Sequence, residues 1–229
     1  MRRIGLLGGM SWESTELYYR IINEEVRTRL GGFHSARIVM ASVDFADVEA
    51  MQAAGDWGAA GELLADEARG LEAAGAECLV LCTNTMHKVA DAIEGAVDIP
   101  LLHLADVTAA AVRGAGLDRV ALLGTRFTME QPFYADRLRS HGIDVLVPEG
   151  DDLTLVHDVI YDELVLGVVR DESRAAYVDV VRRLAERGAG GVVLGCTEIE
   201  LLIGPDDVDV PVFATTALHA RAAVDFALA

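Results

Sequence analysis

Two cysteines of this sequence stand at comparable places, each directly after a short apolar run and before a threonine. The first occurs in Leu79-Val-Leu-Cys-Thr-Asn-Thr85 and the second in Val192-Val-Leu-Gly-Cys-Thr-Glu198. Continuous apolar runs of this length are typical of strands buried in a parallel sheet. Ligands of open α/β sheets bind at the carboxyl ends of the strands. We therefore predict that Cys82 and Cys196 lie at strand ends and face each other across one substrate.

A pair of opposed thiols suits a reaction that inverts a carbon centre. Such a reaction removes a proton from one face of the carbon and returns a proton to the other, so it needs an acid and a base on opposite sides. Each cysteine precedes the predicted amino-terminal end of a helix, which shifts a thiol toward the thiolate and also favours binding of a substrate carboxylate. The two cysteines therefore predict a racemase or an epimerase.

The elements that must position these cysteines occur twice along the chain. Residues 119–125 repeat the pattern of residues 3–9 at an offset of 116, and Cys196 follows Cys82 at an offset of 114. The apolar segment that begins at Asp209 repeats the one that begins at Asp98, at an offset of 111. Offsets that change so little along the chain indicate two copies of one α/β unit.

We predict an α/β fold with two pseudo-symmetric, doubly wound lobes, mainly parallel sheets and the active site between the lobes. The predicted N-terminal lobe comprises residues 1–100 and 211–229, because the last strand and helix cross back to it, and the C-terminal lobe comprises residues 101–210. Residues 44–58 are predicted to form a long loop with a short helical piece, and residues 154–167 a helix. Ser14 or Thr15 is predicted to cap the first helix.

The composition limits the partners and the compartment. The chain has 229 residues, of which 52% are hydrophobic, and so can bury a sizeable core. Its formal net charge of -18 makes nucleic acid and anionic membrane surfaces poor partners. Neither a signal peptide nor an apolar run of the roughly 20 residues that cross a bilayer is visible. Three cysteines without an export signal indicate free thiols in a reducing compartment, so we expect a cytoplasmic protein.

Three separated motifs also resemble those of a known enzyme family. Residues 8–15 (GGMSWEST), 82–87 (CTNTMH) and 195–199 (GCTEI) are similar to signatures of the aspartate/glutamate racemase family, and the first resembles its YgeA-type amino acid racemase branch. The resemblance covers essentially the whole chain. It implies an enzyme without pyridoxal phosphate, metal or other cofactor that uses the paired cysteines on a free amino acid, and we also expect a homodimer. It further implies that the substrate is contacted by Met10, Gln52, Thr83, Asn84, Thr85, Thr125 and Thr197.

The sequence departs from that family at one place that bears on the substrate. Members that act on acidic amino acids tend to carry a lysine in the helix ahead of the second cysteine, where it meets the distal carboxylate. Residues 161–167 read YDELVLG here and contain no lysine. Arg126 or Arg170 is the candidate replacement, and Leu164, Val165 and Leu166 would form an apolar wall. We therefore expect a neutral amino acid to be a better substrate than aspartate or glutamate.

Several alternatives stay open at this point. Cys82, His87 and Cys196 are a conceivable zinc site, although no pair of cysteines or histidines has the usual ligand spacing. His87 is predicted to be a packing or supporting residue rather than a base, Glu198 either steadies the Cys196 thiol or caps a helix, and Cys78 is predicted to be structural. Within the same family, hydantoin racemisation and maleate isomerisation are the alternative reactions. A non-catalytic protein that binds small carboxylates is the alternative from another functional class.

Overall fold

The computed structural model describes all residues from Met1 to Ala229, and these divide into two compact units. Unit 1 comprises Met1–Leu104 and His219–Ala229, and unit 2 comprises Ala105–Leu218. None of the helices is long and apolar enough to cross a membrane.

Unit 1 is built on a parallel three-stranded sheet with β1 (Ile4–Gly8) in the middle. Strand β2 (Ile38–Ser42) pairs with one side of β1, and β3 (Cys78–Leu81) pairs with the other. Leu101 adds a single parallel bridge to Leu79 on the far side of β3. Every residue of β1 and β3 is buried, as expected for strands that helices cover on both faces.

The helices of unit 1 begin and end at residues that suit their caps. The 19-residue helix α1 (Trp12–Leu30) follows β1, and the Ser11 side chain at its N-cap accepts a hydrogen bond from the Ser14 N–H. Between β1 and α1 the chain turns at Gly9, whose φ is +95° and where a Cβ atom would lie 2.2 Å from the Val43 carbonyl oxygen, so only glycine fits. The unit-1 helices are α1 (Trp12–Leu30), α2 (Phe45–Ala54), α3 (Trp57–Ala73) and α4 (Ala90–Glu94), with a 3-10 turn at Thr85–Val89.

Unit 2 repeats this arrangement around β4 (Arg119–Gly124). The strands β5 (Asp144–Leu146), β6 (Val192–Gly195) and β7 (Val212–Ala214) complete a parallel sheet of order β5-β4-β6-β7. Helix α5 (Leu104–Gly114) leads into unit 2 and α10 (Thr215–Leu228) leads out of it. The other unit-2 helices are α6 (Arg126–Glu130), α7 (Pro132–Ser140), α8 (Asp151–Asp162) and α9 (Asp171–Glu186), with 3-10 turns at Leu164–Leu166 and Thr197–Leu201.

The sheet orders confirm the predicted α/β fold with two parallel, similarly wound units. β1 and β4 are central, β2 and β5 lie at one edge, and β3 and β6 lie at the other side of the central strand. The Leu101 bridge in unit 1 occupies the place that β7 takes in unit 2. The two segments that repeat each other in sequence therefore belong to different sheets: residues 98–102 lie beside β3 in unit 1, and residues 209–213 lead into β7 beside β6 in unit 2.

Three local predictions differ from the structure. The last strand does not cross back to the first unit, because β7 pairs with β6 of unit 2. The chain passes from unit 1 to unit 2 at Leu104/Ala105, in α5, and returns to unit 1 only at Leu218/His219, within α10. The predicted loop at residues 44–58 is mostly α2, which the Asp44 side chain caps through the Ala46 N–H and which Gly55 ends in a left-handed conformation. The predicted helix at residues 154–167 runs instead from Asp151 to Asp162, because the backbone leaves helical geometry at Glu163.

Candidate active site

Cys82 lies immediately beyond β3, in a turn whose backbone is held on several sides. Its N–H donates to the Leu7 carbonyl over 2.9 Å, and its own carbonyl accepts from the Ser14 hydroxyl over 3.1 Å. The next residue, Thr83, donates its N–H to Leu81 over 2.9 Å. The Thr83 carbonyl accepts from Nδ1 of His87 over 2.7 Å. These contacts fix the direction in which the fully buried Cys82 side chain leaves the backbone.

The other residues predicted for unit 1 gather around the carboxyl ends of β1 and β3. Met10 follows β1 and is buried. Gln52 is a buried residue of α2, and its side-chain amide donates to the Met86 sulfur over 2.9 Å. Asn84 is buried and its carbonyl accepts from the His87 N–H, whereas Thr85 is partly exposed at the start of the 3-10 turn. Unit 1 therefore brings together the residues predicted there, with His87 among them.

Cys196 occupies the equivalent place beyond β6 in unit 2. Its thiol donates to Oε2 of Glu198 over 2.9 Å, and its carbonyl accepts from the Ile199 N–H over 3.2 Å. The first of these contacts makes Glu198 a hydrogen-bond partner of the thiol, as expected if it steadies Cys196. The carboxylate is placed to accept the thiol proton directly, as a base does for an activated nucleophile.

Two threonines predicted as substrate contacts lie in the same part of unit 2. Thr125 directly follows β4, and its hydroxyl is 3.4 Å from the Thr128 hydroxyl. Thr197 follows Cys196 and accepts from the Thr216 hydroxyl over 3.4 Å. Thr216 also donates its N–H to the carboxyl group of Glu200 over 3.0 Å. Burial raises the pKa of Glu200 to about 7.

The two thiols are less acidic than their positions in the sequence suggest. Burial raises the pKa of Cys82, and burial followed by the charge of Glu198 raises that of Cys196. The predicted shift toward the thiolate is therefore wrong for both cysteines. The helical segments after them are 3-10 turns of only five residues, which offer too little dipole to offset desolvation. Glu198 instead provides an internal acceptor for the proton of Cys196.

Both arginines considered as replacements for a missing lysine already have carboxylate partners. Nη1 of Arg126 lies 3.6 Å from Oε1 of Glu130. Nη1 of Arg170 lies 3.2 Å from Oε1 of Glu163, whose other oxygen accepts from the Ser173 hydroxyl over 2.6 Å. The three apolar residues 164–166 differ in burial. Leu164 is buried in the core of unit 2, whereas Val165 and Leu166 are exposed.

The structure also bears on Cys78 and on the alternative of a zinc site. Cys78 begins β3 in the core of unit 1, and burial raises its pKa to about 12, which fits the predicted structural role. All three cysteines are free thiols. No three histidine, cysteine, aspartate or glutamate side chains are grouped so that they could hold a metal ion.

Several residues of these sites were missed in the sequence. The sequence predicts Ser14 or Thr15 as the cap of α1, but Ser11 is the cap, and the Ser14 hydroxyl donates to the Cys82 carbonyl. Thr216 contacts both Glu200 and Thr197 although it lies 16 or more residues away from them along the chain. Thr215 and Thr216 directly follow β7, so the rule that strand ends form sites would have identified them.

Comparison with known proteins gives matches over nearly the whole chain. A family model described as Asp/Glu/Hydantoin racemase matches residues 7–223. The structure is similar to that of a Yersinia pestis protein assigned by inference as an Asp/Glu racemase, with 53% identity, full coverage of both chains and a TM-score of 0.96. It is also similar to an aspartate racemase homologue from Pyrococcus horikoshii, with 32% identity, full coverage of both chains and a TM-score of 0.90. A Picrophilus torridus aspartate racemase, 18% identical with a TM-score of 0.75 over 99% of this chain and 94% of that one, shares the fold.

Proposed function

Because this chain belongs to the Asp/Glu/Hydantoin racemase family, which confirms the resemblance noted in its motifs, we propose how it carries out its reaction. The protein is an isomerase, an amino acid racemase that works without pyridoxal phosphate. In our proposal Cys82 and Cys196 are its two acid–base groups, and the side chain of its preferred substrate is neutral. One observation carries the proposal: each of the two similar units bears a cysteine followed by a threonine at the end of the equivalent strand, β3 or β6.

The proposed reaction begins with transfer of the Cys196 proton to Glu198, across the 2.9 Å contact between Sγ and Oε2. The resulting thiolate takes the proton from Cα of the amino acid, and the electron pair of the broken C–H bond stays on the substrate, next to its carboxylate. The thiol of Cys82 then gives its proton to the opposite face of Cα. The product is the other enantiomer, Cys82 is left as the thiolate, and Glu198 still holds the proton that came from Cys196. Loss of that proton to solvent and uptake of one by Cys82 restore the starting state. The reverse reaction runs through the same steps backwards: it starts from the enzyme form with Cys82 as thiolate and Glu198 protonated, Cys82 takes the Cα proton, and Cys196 supplies a proton to the other face and is reprotonated by Glu198.

Burial raises the pKa of both thiols, so each is a good proton donor but needs help to act as a base. A thiol that stays protonated until it meets the carbanion is a suitable acid, and burial keeps Cys82 in that form. The other thiol needs a neighbouring base, which Glu198 supplies for Cys196. Hydroxyl and amide groups of Thr83, Asn84, Thr85, Thr125 and Thr197, together with Met10 and Gln52, are the proposed contacts for the substrate.

A neutral side chain is the proposed feature that distinguishes the substrate. Binding a second carboxylate away from water without a paired cation costs several kcal/mol. Arg126 and Arg170 are each engaged by a glutamate of their own unit, and no lysine occurs in residues 161–167. Apolar surface such as that of Val165 and Leu166 would instead gain about 25 cal/mol for each Å² that a neutral side chain covers.

The experiment that tests this substrate class is a side-by-side measurement of kcat/KM on both enantiomers of aspartate, glutamate and a panel of neutral amino acids. We expect at least one neutral amino acid to exceed aspartate by roughly tenfold or more, since a few kcal/mol of unpaired charge separates the two classes. Dominance of aspartate would contradict the proposed substrate. Turnover of a hydantoin or of maleate, with no amino acid racemised, would favour the alternative reactions of the family.

A further inference from the structure

Three buried histidines of unit 1 lie together next to the turn that carries Cys82. The ring centroids of His87 and His103 are 4.7 Å apart, and those of His87 and His219 are 5.8 Å apart. All three side chains are buried. We refer to His87, His103 and His219 as the histidine cluster. The acid–base steps proposed above do not use it, and it holds no grouping that suits a metal ion.

The hydrogen bonds of His87 define its tautomer. Its Nδ1 lies 2.7 Å from the Thr83 carbonyl oxygen, which can only accept, so Nδ1 carries a hydrogen. Its Nε2 lies 3.2 Å from the backbone N–H of Leu104, which can only donate, so Nε2 is the acceptor. His87 is therefore a neutral ring that connects the residue after Cys82 to the last residue of the N-terminal part of unit 1.

His219 has the opposite tautomer and secures the same neighbourhood. Its Nε2 contacts the Leu102 carbonyl oxygen, so this nitrogen carries the hydrogen, and Nδ1 accepts from the Tyr18 hydroxyl over 2.9 Å. Tyr18 belongs to α1 and packs in the same core cluster as Cys82. Through these bonds α1 and α10 both hold the segment at residues 102–104, on which His87 is anchored.

We infer that His87 is a positioning residue for Cys82: its neutral ring fixes the Thr83 carbonyl, and Tyr18 and His219 hold the segment to which the ring is anchored. This inference rests on the proposed role of Cys82. The Cys82 carbonyl is held by Ser14 and its N–H by Leu7, so the bond from His87 to Thr83 secures the turn on its remaining side. A displacement of a reacting group by about 1 Å can cost a factor of roughly 10² in rate, so such support has a measurable effect on catalysis.

The surroundings keep the cluster in the neutral form that this role needs. Burial, followed by the neighbouring His103 and His219, holds the pKa of His87 well below its usual value. Burial also lowers the pKa of His219 to about 4. A proton added to Nε2 of His87 would have to displace the Leu104 N–H, so the neutral tautomer is the one compatible with this packing.

Two substitutions of His87 separate its two hydrogen bonds. His87→Asn places an amide N–H close to the position of Nδ1 and can still donate to Thr83. His87→Gln places an amide oxygen close to the position of Nε2 and can still accept from Leu104, but it loses the bond to Thr83. The measurements are kcat and the rate at which iodoacetamide alkylates each of the three cysteines, resolved by mass spectrometry of peptides.

For His87→Gln we expect kcat to fall roughly tenfold while Cys82 is alkylated roughly fivefold faster, because losing one hydrogen bond lets the buried turn open more often. His87→Asn keeps the bond to Thr83 and loses only the one to Leu104, so it should change both quantities less than His87→Gln does. Cys78, in the adjacent strand, and Cys196, in unit 2, should keep their alkylation rates in both variants. Equal behaviour of the Asn and Gln variants, or an equal change at Cys78 and Cys82, would overturn the inference.

A third variant covers the case in which both His87 substitutions unfold unit 1 and expose Cys78 as well. Tyr18→Phe removes only the hydroxyl that donates a hydrogen bond to Nδ1 of His219. It should raise the alkylation rate of Cys82 without raising that of Cys78. An unchanged Cys82 in Tyr18→Phe would then overturn the inference. The alkylation rates do not depend on turnover, so a wild-type protein without racemase activity would refute the proposed function and still leave the role of His87 measurable.

Discussion

Replacement of either Cys82 or Cys196 by alanine should abolish racemisation in both directions while substrate still binds. Each thiol serves one face of Cα in the proposed reaction, and each reaction direction uses one as base and the other as acid. Loss of one acid–base group of this kind costs roughly 10³-fold or more. Serine at either position should also fail or nearly so, because its hydroxyl is far too weakly acidic to act without an additional base.

The measurement is the rate of change of optical rotation, started from each enantiomer in turn, with substrate binding followed separately. Cys78→Ala is the matched control, because Cys78 is also a buried thiol, lies in β3 just before Cys82, and has no proposed part in the chemistry. It should retain racemase activity. A Cys82→Ala or Cys196→Ala protein that racemises at close to the wild-type rate would exclude the two-thiol reaction.

Glu198→Gln should lower kcat at neutral pH by roughly 10²-fold, with substrate affinity little changed. The carboxylate accepts the Cys196 thiol hydrogen over 2.9 Å, so it can take the proton without a new net charge in a buried site. Glutamine can accept the same hydrogen bond but is not a base. The variant must lose the Cys196 proton to solvent, which burial makes unfavourable at neutral pH.

The pH profile of kcat separates this role from a structural one. Because the thiol must be deprotonated to act as base, the activity of Glu198→Gln should rise with pH as solvent takes over the proton. Glu198→Asp should keep more activity at neutral pH than the glutamine variant. Glu186→Gln, an equivalent change at an exposed position of α9, should behave as wild type. A Glu198→Gln protein with an unchanged profile would mean that the carboxylate only caps or packs.

The sequence could predict the features that depend on local pattern. The apolar runs before Cys82 and Cys196 predict buried strands, and the repeat predicts two units of similar topology; both are confirmed by the central places of β1 and β4 and by the positions of β3 and β6. Position after a strand end is enough to select Cys82 and Cys196 as candidates, whereas Thr83, Thr125 and Thr197 follow from the family resemblance. Their proposed contacts with substrate remain predictions.

The features that were missed depend on contacts between distant residues. Residues 44–58 lack a clear apolar stripe, so the sequence predicts a loop with only a short helical piece there, whereas Asp44 and Gly55 cap the ten-residue helix α2. The acidity of the thiols was misjudged because burial, which a sequence does not display, outweighs two short helical turns. Tyr18, His87 and His219 come from three different helical segments, and only the packing of α1 and α10 on the sheet brings them together.

The most direct test of the two-thiol racemase is the wild-type reaction in heavy water. One enantiomer is offered, the reaction is stopped early, and the deuterium content at Cα is measured for the remaining substrate and for the product after they are separated. Two thiols on opposite faces predict that the product enantiomer carries deuterium while the remaining substrate keeps its hydrogen, from either starting enantiomer. Product that retains the substrate's own hydrogen, or substrate that gains deuterium as fast as product forms, would indicate a single base and contradict the proposed roles of Cys82 and Cys196.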